Sequence, residues 1–139
     1  MHINKDTKIY GSFSSNPGNN GCVFFNKRFK EENINAVYKS FFSNNLLESI
    51  NAAKCLNFSG FALSMPFKIE ILNYADHIDP IASQIGSANT VINILNKLFV
   101  YNTDWIGVKK FFLNMNSLPK EILIAGNGGF SRAVQYACN

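Results

Sequence analysis

The sequence predicts an α/β fold, a mainly parallel sheet with flanking helices. Three observations carry this. Short β-like runs alternate with helical stretches, and at this spacing the alternation implies βαβ units. One β-like run, Phe61–Met65, is stopped by Pro66. Another, Glu121–Ala125, runs into Gly126-Asn127-Gly128-Gly129, after which a helix begins at Phe130.

The elements follow in order. Thr7–Tyr10 reads as a short strand ending at Gly11, and Ser12 to Gly21, rich in Ser, Asn, Gly and Pro, reads as a loop. Cys22 to Glu32 has helical periodicity through Phe25 and Phe29. Ala36–Phe42 is a strand. Ser43-Asn44-Asn45 offers cap chemistry for a helix whose apolar side is Leu46, Leu47, Ile50, Ala53 and Leu56. Asn57 to Gly60 is a turn before Phe61–Met65. Lys68 to Tyr74 starts a helix, and Asp79-Pro80 opens a second short one. Thr90–Ile94 and Leu98–Tyr101 form a hairpin joined by Leu95-Asn96-Lys97, and Asn102-Thr103-Asp104 caps a helix to about Phe112. The segment from Asn114 to Pro119 is the natural domain boundary, separating residues 1–113 from residues 114–139.

Composition narrows the function classes. The 139 residues allow one domain or little more. With 47% hydrophobic and 16% charged residues, the chain has ample apolar surface to offset its ordering entropy. The longest apolar runs are short, as at Ile122 to Ala125, well below the roughly 18 residues of a membrane span. The net charge of +4 comes from scattered lysines; the densest group, Lys27-Arg28-Phe29-Lys30, runs straight into Glu31 and Glu32. This reads as a solvated helix face, so no nucleic-acid partner is expected. Cys22, Cys55 and Cys138 show no metal-ligand spacing. They are expected to be reduced and buried, with no metal site. The polar N-terminus carries no signal segment, so the cytoplasm is the expected location.

Several residues stand where chemistry is done. Lys68 lies just beyond the carboxyl end of a strand, where open α/β sheets bind ligands, and a cation is disfavoured at a helix start. Gly126 to Ala133 follows a strand and opens a helix, the setting of a dinucleotide-binding turn; glycines admit a pyrophosphate and the helix start offers free N–H groups. Asp104 reads as a helix cap, Asn89 as a turn residue, and Ser12 and Ser14 as turn hydroxyls. His2 and His77 have no catalytic partner in sight.

Taken together and in this order, the motifs resemble the shikimate dehydrogenase family, and within it the shikimate dehydrogenase-like branch. They are Ser12-Phe13-Ser14, Gly60 to Lys68, Gly86-Ser87-Ala88-Asn89-Thr90, Asn102-Thr103-Asp104-Trp105 and Gly126 to Ala133. The loop Ser12 to Asn19 followed by Phe25-Asn26 is similar to that of the branch. Against the main family, Ala62 stands for Asn, Ser64 for Thr, Phe25 for His and Trp105 for Gly.

The resemblance implies an NADP-dependent oxidoreductase of aromatic amino acid biosynthesis, the shikimate pathway. Its reaction is the reversible oxidation of the 3-hydroxyl of shikimate. Lys68 and Asp104 would be the catalytic pair. Ser12 and Ser14 would hold the substrate carboxylate, and Ser64 and Asn89 its ring hydroxyls. Gly126, Asn127, Gly128, Gly129 and Arg132 would face the cofactor, NADP, with NAD as the alternative. The implied substrate is shikimate or a related hydroxy acid. The implied architecture is a substrate-binding lobe over residues 1–113 and, over 114–139, the first strand, turn and helix of a Rossmann domain left incomplete at Asn139. Ile122, Ile124, Phe130, Val134 and Tyr136 are then expected to be exposed. The alternative is a truncated, non-catalytic remnant that keeps the substrate lobe as a small-molecule binding module.

Overall fold

The computed structural model describes residues 3–115 and 119–139. It contains strands β1 (Lys8–Ser14), β2 (Ala36–Phe42), β3 (Phe58–Leu63), β4 (His77–Ile78), β5 (Thr90–Ile94) and β6 (Lys97–Tyr101). The helices are α1 (Asn20–Glu31), α2 (Leu46–Cys55), α3 (Pro80–Ile85), α4 (Asp104–Leu113) and α5 (Gly129–Cys138). One six-stranded sheet has the order β2-β1-β3-β5-β6-β4. Three of its five pairings are parallel, so the α/β class with a mainly parallel sheet holds.

Right-handed crossovers explain the layering. The chain steps from β1 through α1 to β2, then back past β1 through α2 to β3. Steps in opposite directions place the two helices on opposite faces. Alternation along β1 sends Phe13 into the core with Leu46, Ile50, Phe58, Phe61, Phe67, Ile71, Val91, Leu98 and Val100. Tyr10, on the other face, meets Phe29 of α1 with ring centroids 5.7 Å apart. The crevice at the carboxyl ends of β1 and β3 is where the connections part to opposite faces, the position that gathers ligands in open sheets.

Several expectations are corrected. Ser12 and Ser14 lie in β1, not in a loop, because β1 is paired on both sides and two ladders outweigh the poor β-propensity of serine. The strand expected at Phe61–Met65 runs instead from Phe58 to Leu63, leaving Ser64 just past its end. The helix expected from Lys68 shrinks to a 3₁₀ turn at Glu70–Asn73, since the chain must reach the sheet edge at His77. Strand β4 was not foreseen; two residues carry no readable period. No strand forms over Glu121–Ala125, where Leu123 is 97% exposed and no described strand offers a ladder. The cysteines are free, but Cys55 and Cys138 end α2 and α5 and are exposed rather than buried. Val134 and Tyr136, expected to be bare, are half-buried because α5 packs on α4, Tyr136 meeting Trp105 at 5.6 Å, and Ile124, expected bare as well, is also half-buried. The boundary expected between Asn114 and Pro119 falls partly outside the described residues.

The helix at Pro80 forms as read. Pro80 occupies its first turn, and Asp79 Oδ2 accepts from the N–H groups of Ile81 and Ala82 at 3.0 and 3.2 Å. The β5–β6 hairpin also forms, with Ile94 paired to Lys97, so the loop is the two residues Leu95 and Asn96. Both have positive φ, 52° and 63°, as a type I′ turn demands. Leucine is a poor choice there. Replacing Leu95 by Asn is expected to raise stability by about 0.5–1 kcal/mol, from the relief of a left-handed backbone. Chemical denaturation checks this; an unchanged or lower midpoint counts against it.

Candidate active site

Lys68 and Asp104 come together. The Lys68 ammonium donates to Asp104 Oδ2 at 2.7 Å, and both side chains are largely buried, 17% and 16% exposed. The other carboxylate oxygen, Oδ1, accepts from Asn89 Nδ2 at 2.8 Å. Asn89 is fixed in turn: its Oδ1 accepts from the Thr103 N–H at 2.8 Å and from the Thr90 hydroxyl at 3.0 Å. The carboxylate is thus held through both oxygens, one by Asn89 and one by the ammonium it positions.

The local backbone explains how distant residues meet. β5 and β6 are hairpin partners, so Asn89, just ahead of β5, lies beside Asn102-Thr103-Asp104, just past β6. Asn102 is 3% exposed. Its Nδ2 donates to the Ser87 carbonyl at 2.9 Å and to Ser87 Oγ at 3.1 Å, and its Oδ1 accepts from the Asp104 N–H at 3.0 Å. The Ser87 hydroxyl donates to the Gly129 carbonyl at 2.9 Å. The Ala88 N–H donates to the Lys68 carbonyl at 2.7 Å. Residues 86–89 therefore connect the lysine, the aspartate and the glycine turn.

The glycine turn closes on the lysine. A Cβ at Gly129 would stand 2.6 Å from Lys68 Cβ and 3.2 Å from Ser87 Cβ, so only glycine permits this approach. Gly126 has a φ of 114°, which a side chain would oppose. Around Gly128 the space is open. Helix α5 starts after Gly128 with no side-chain cap and no acid in its first turn. Its free N–H groups suit an anion. Arg132 Nη1 donates to the Gly86 carbonyl at 3.1 Å, turning this group towards the first lobe. Asn127 lies exposed in the turn. A cleft of about 450 Å³ is lined by Ser64, Met65, Pro66, Lys68, Gly128 and Phe130 among others.

Ser12, Ser14 and Ser64 gather at a second hollow, of about 220 Å³, with Tyr38 and Ser40. Ser64 lines both spaces, which makes them neighbours. Burial pushes the Tyr38 phenol above its usual range, with the Ser12 hydroxyl pulling the other way. The Ser40 hydroxyl, working against burial, holds the Cys22 thiol below its ordinary value, helped by the Ser40 N–H and the charge of Lys39.

Four side chains here were missed in the sequence: Tyr38, Ser40, Asn102 and Phe130. Alternation within Ala36–Phe42 puts Tyr38 and Ser40 on one face, and that signal was available. Asn102 and Phe130 sit inside quoted motifs, but nothing local marks one as buried or sets the other over the Lys68 ammonium, 5.5 Å from its ring centroid. Of the departures noted above, Phe25 stacks on Tyr38 at 4.6 Å, Trp105 packs on α5, and Ala62 lines an apolar groove under α1. Among the described residues no group of three or more His, Cys, Asp or Glu could hold a metal ion, and no helix is long and apolar enough to cross a membrane.

The chain is similar to known proteins. The family model for the shikimate dehydrogenase substrate binding domain matches residues 21–91. The chain is 36% identical over 139 residues to a shikimate dehydrogenase-like protein of Haemophilus influenzae, covering 97% of this chain and 50% of that one. It is 38% identical over 136 residues to a shikimate dehydrogenase (NADP(+)) of Bacillus cereus, covering 94% and 49%. The crystal structure of shikimate dehydrogenase from Aquifex aeolicus superimposes with a TM-score of 0.86 at 36% identity, over 98% of this chain and 53% of that one. The chain belongs to the shikimate dehydrogenase family. It spans about half the length of these relatives.

Asn102 organises the site, so its loss is expected to be felt throughout. Asn102→Ala leaves the Ser87 carbonyl and the Asp104 N–H unpaired in a buried place, at a cost of about 1–3 kcal/mol. Urea unfolding measures this; a change under about 0.5 kcal/mol, the range of ordinary surface substitutions, contradicts it.

Proposed function

We propose that this chain supplies the substrate half of an NADP-dependent shikimate dehydrogenase, which interconverts shikimate and 3-dehydroshikimate. The observation that carries the reading is the Lys68–Asp104 pair, 2.7 Å apart, at the strand ends and against the glycine turn. Reduction of a ketone requires a proton at the carbonyl oxygen as the carbon is reduced. The Lys68 ammonium is oriented by Asp104 and its side chain lines the cleft. In the reductive direction it gives a proton from Nζ to that oxygen; in the oxidative direction Nζ takes it back from the hydroxyl. Asp104 Oδ2 keeps the ammonium in place and Asn89 keeps Asp104 in place; the resemblance also assigns Asn89 a ring hydroxyl, although its amide N–H groups are given to Asp104 and Thr103. Ser64, between the two spaces, binds a further ring hydroxyl. Ser12 and Ser14 hold the carboxylate in the second hollow.

The residues present fit a dinucleotide. Gly126, Asn127, Gly128 and Gly129 with the open start of α5 would hold its pyrophosphate, and Arg132 ties α5 to the Gly86 carbonyl. When bound, the nicotinamide ring supplies the hydride chemistry. The Bacillus cereus relative is named for NADP(+), which favours the phosphorylated form over NAD. Within an enzyme of this kind the chain serves an oxidoreductase of small molecules.

The test is Lys68→Ala in the full-length protein, followed through NADPH absorbance with shikimate as substrate. Turnover should fall by at least about 10²-fold, the usual worth of a positioned acid or base. Circular dichroism should remain that of the parent. Turnover within a few-fold of the parent removes Lys68 from the chemistry. Shikimate binding without any turnover in the parent favours the binding-module reading instead.

A further inference from the structure

The serine hollow continues one residue deeper than its walls. β1 and β2 run parallel with Ser12 level with Ser40. Ser12 Oγ donates to Ser40 Oγ at 3.2 Å. Ser40 Oγ lies 3.3 Å from Cys22 Sγ, with either atom able to donate. The Ser40 N–H donates to the same sulfur at 3.2 Å, which anchors Cys22 against the edge strand. The result is a row of three groups, Ser12, Ser40 and Cys22, leading from the hollow to the start of α1. Both serines line the hollow, together with Ser14, Ser64 and Tyr38.

Each hydroxyl owns a single proton. In the structure Ser12 gives its proton to Ser40. A carboxylate has only lone pairs to offer, so it needs that proton turned towards itself. Ser12 can make the turn at little cost only if another donor takes over the bond along the row. Ser40 is placed to do so: its O–H then points at Ser12 Oγ, and the Cys22 S–H points at Ser40 Oγ. Every bond in the row is kept and only its direction changes. With an apolar residue at position 40, Ser12 would meet the carboxylate without this support.

We propose that Ser40 is a positioning residue for carboxylate binding, its hydroxyl, backed by Cys22, directing the Ser12 O–H into the hollow. The proposal rests on the reading of Ser12 and Ser14 as the carboxylate site. It adds a group from a different strand, one that acts through Ser12.

The experiment is calorimetric titration of shikimate into the full-length protein and into S40A, S40T, S12A and the S12A/S40A double variant, each checked by circular dichroism. S40A is expected to bind shikimate about fivefold more weakly, the worth of one neutral hydrogen bond. S40T, which keeps the hydroxyl, should restore most of the affinity. S12A/S40A should bind no more weakly than S12A alone, because the effect of Ser40 passes through Ser12. Should alanine loosen the edge strand, S40C, similar in size but a weak donor, is expected to show the same loss. Equal affinity of S40A and parent overturns the proposal. So does a full S40A effect persisting without Ser12, which would mark Ser40 as structural only. Failure of the parent protein to bind shikimate removes the underlying reading instead, and it is seen before any variant is compared.

Discussion

One buried amide organises the candidate active site. Asn102 has the Ser87 carbonyl and hydroxyl on one side and the N–H of Asp104 on the other. Because it is sealed from water, each of these bonds has no solvent substitute. Through Ser87 the amide reaches Gly129, and through Asp104 it reaches Lys68. Two elements far apart in sequence, the end of β6 and the start of α5, are thereby held to the same segment. The ion pair is the visible product of this arrangement. By itself a largely buried pair gains little net stability, since desolvation offsets attraction; what it gains here is a fixed position.

The serine hollow has a different basis. It depends on parallel pairing, which brings residues at equivalent heights on β1, β2 and β3 into one row. Three hydroxyls from three strands or strand ends can then converge without any loop having to fold over them. This is why the position of Ser12 and Ser14 in the strand matters: side chains on a doubly paired strand are held more firmly than side chains on a loop.

Much of this was legible in the amino-acid order. Ala36–Phe42 and the helix at Pro80 stand as read, since periodicity, Pro placement and a capping Asp all agree there. The residues of the candidate site were named by their motifs, and Lys68, Asp104 and Asn89 do meet. What was not legible has a common cause. Strand assignment at Ser12–Ser14 is decided by neighbours on both sides, which no local window contains. Glu121–Ala125 has strand composition but, among the described residues, no neighbour to make it one. Ser40 was passed over because hydroxyls in strands are ordinary; only the register with Ser12 makes it special.

The contact between Gly129 and Lys68 has a mechanical consequence. Backbone at one end and the root of a side chain at the other leave no room between them for one added carbon. The spacing between the first carbon of the Lys68 side chain and the glycine turn is thus set like a bearing surface, by hard contact. A side chain at position 129 would have to push α5 away from Lys68, while the ammonium at the far end of that lysine is placed by Asp104.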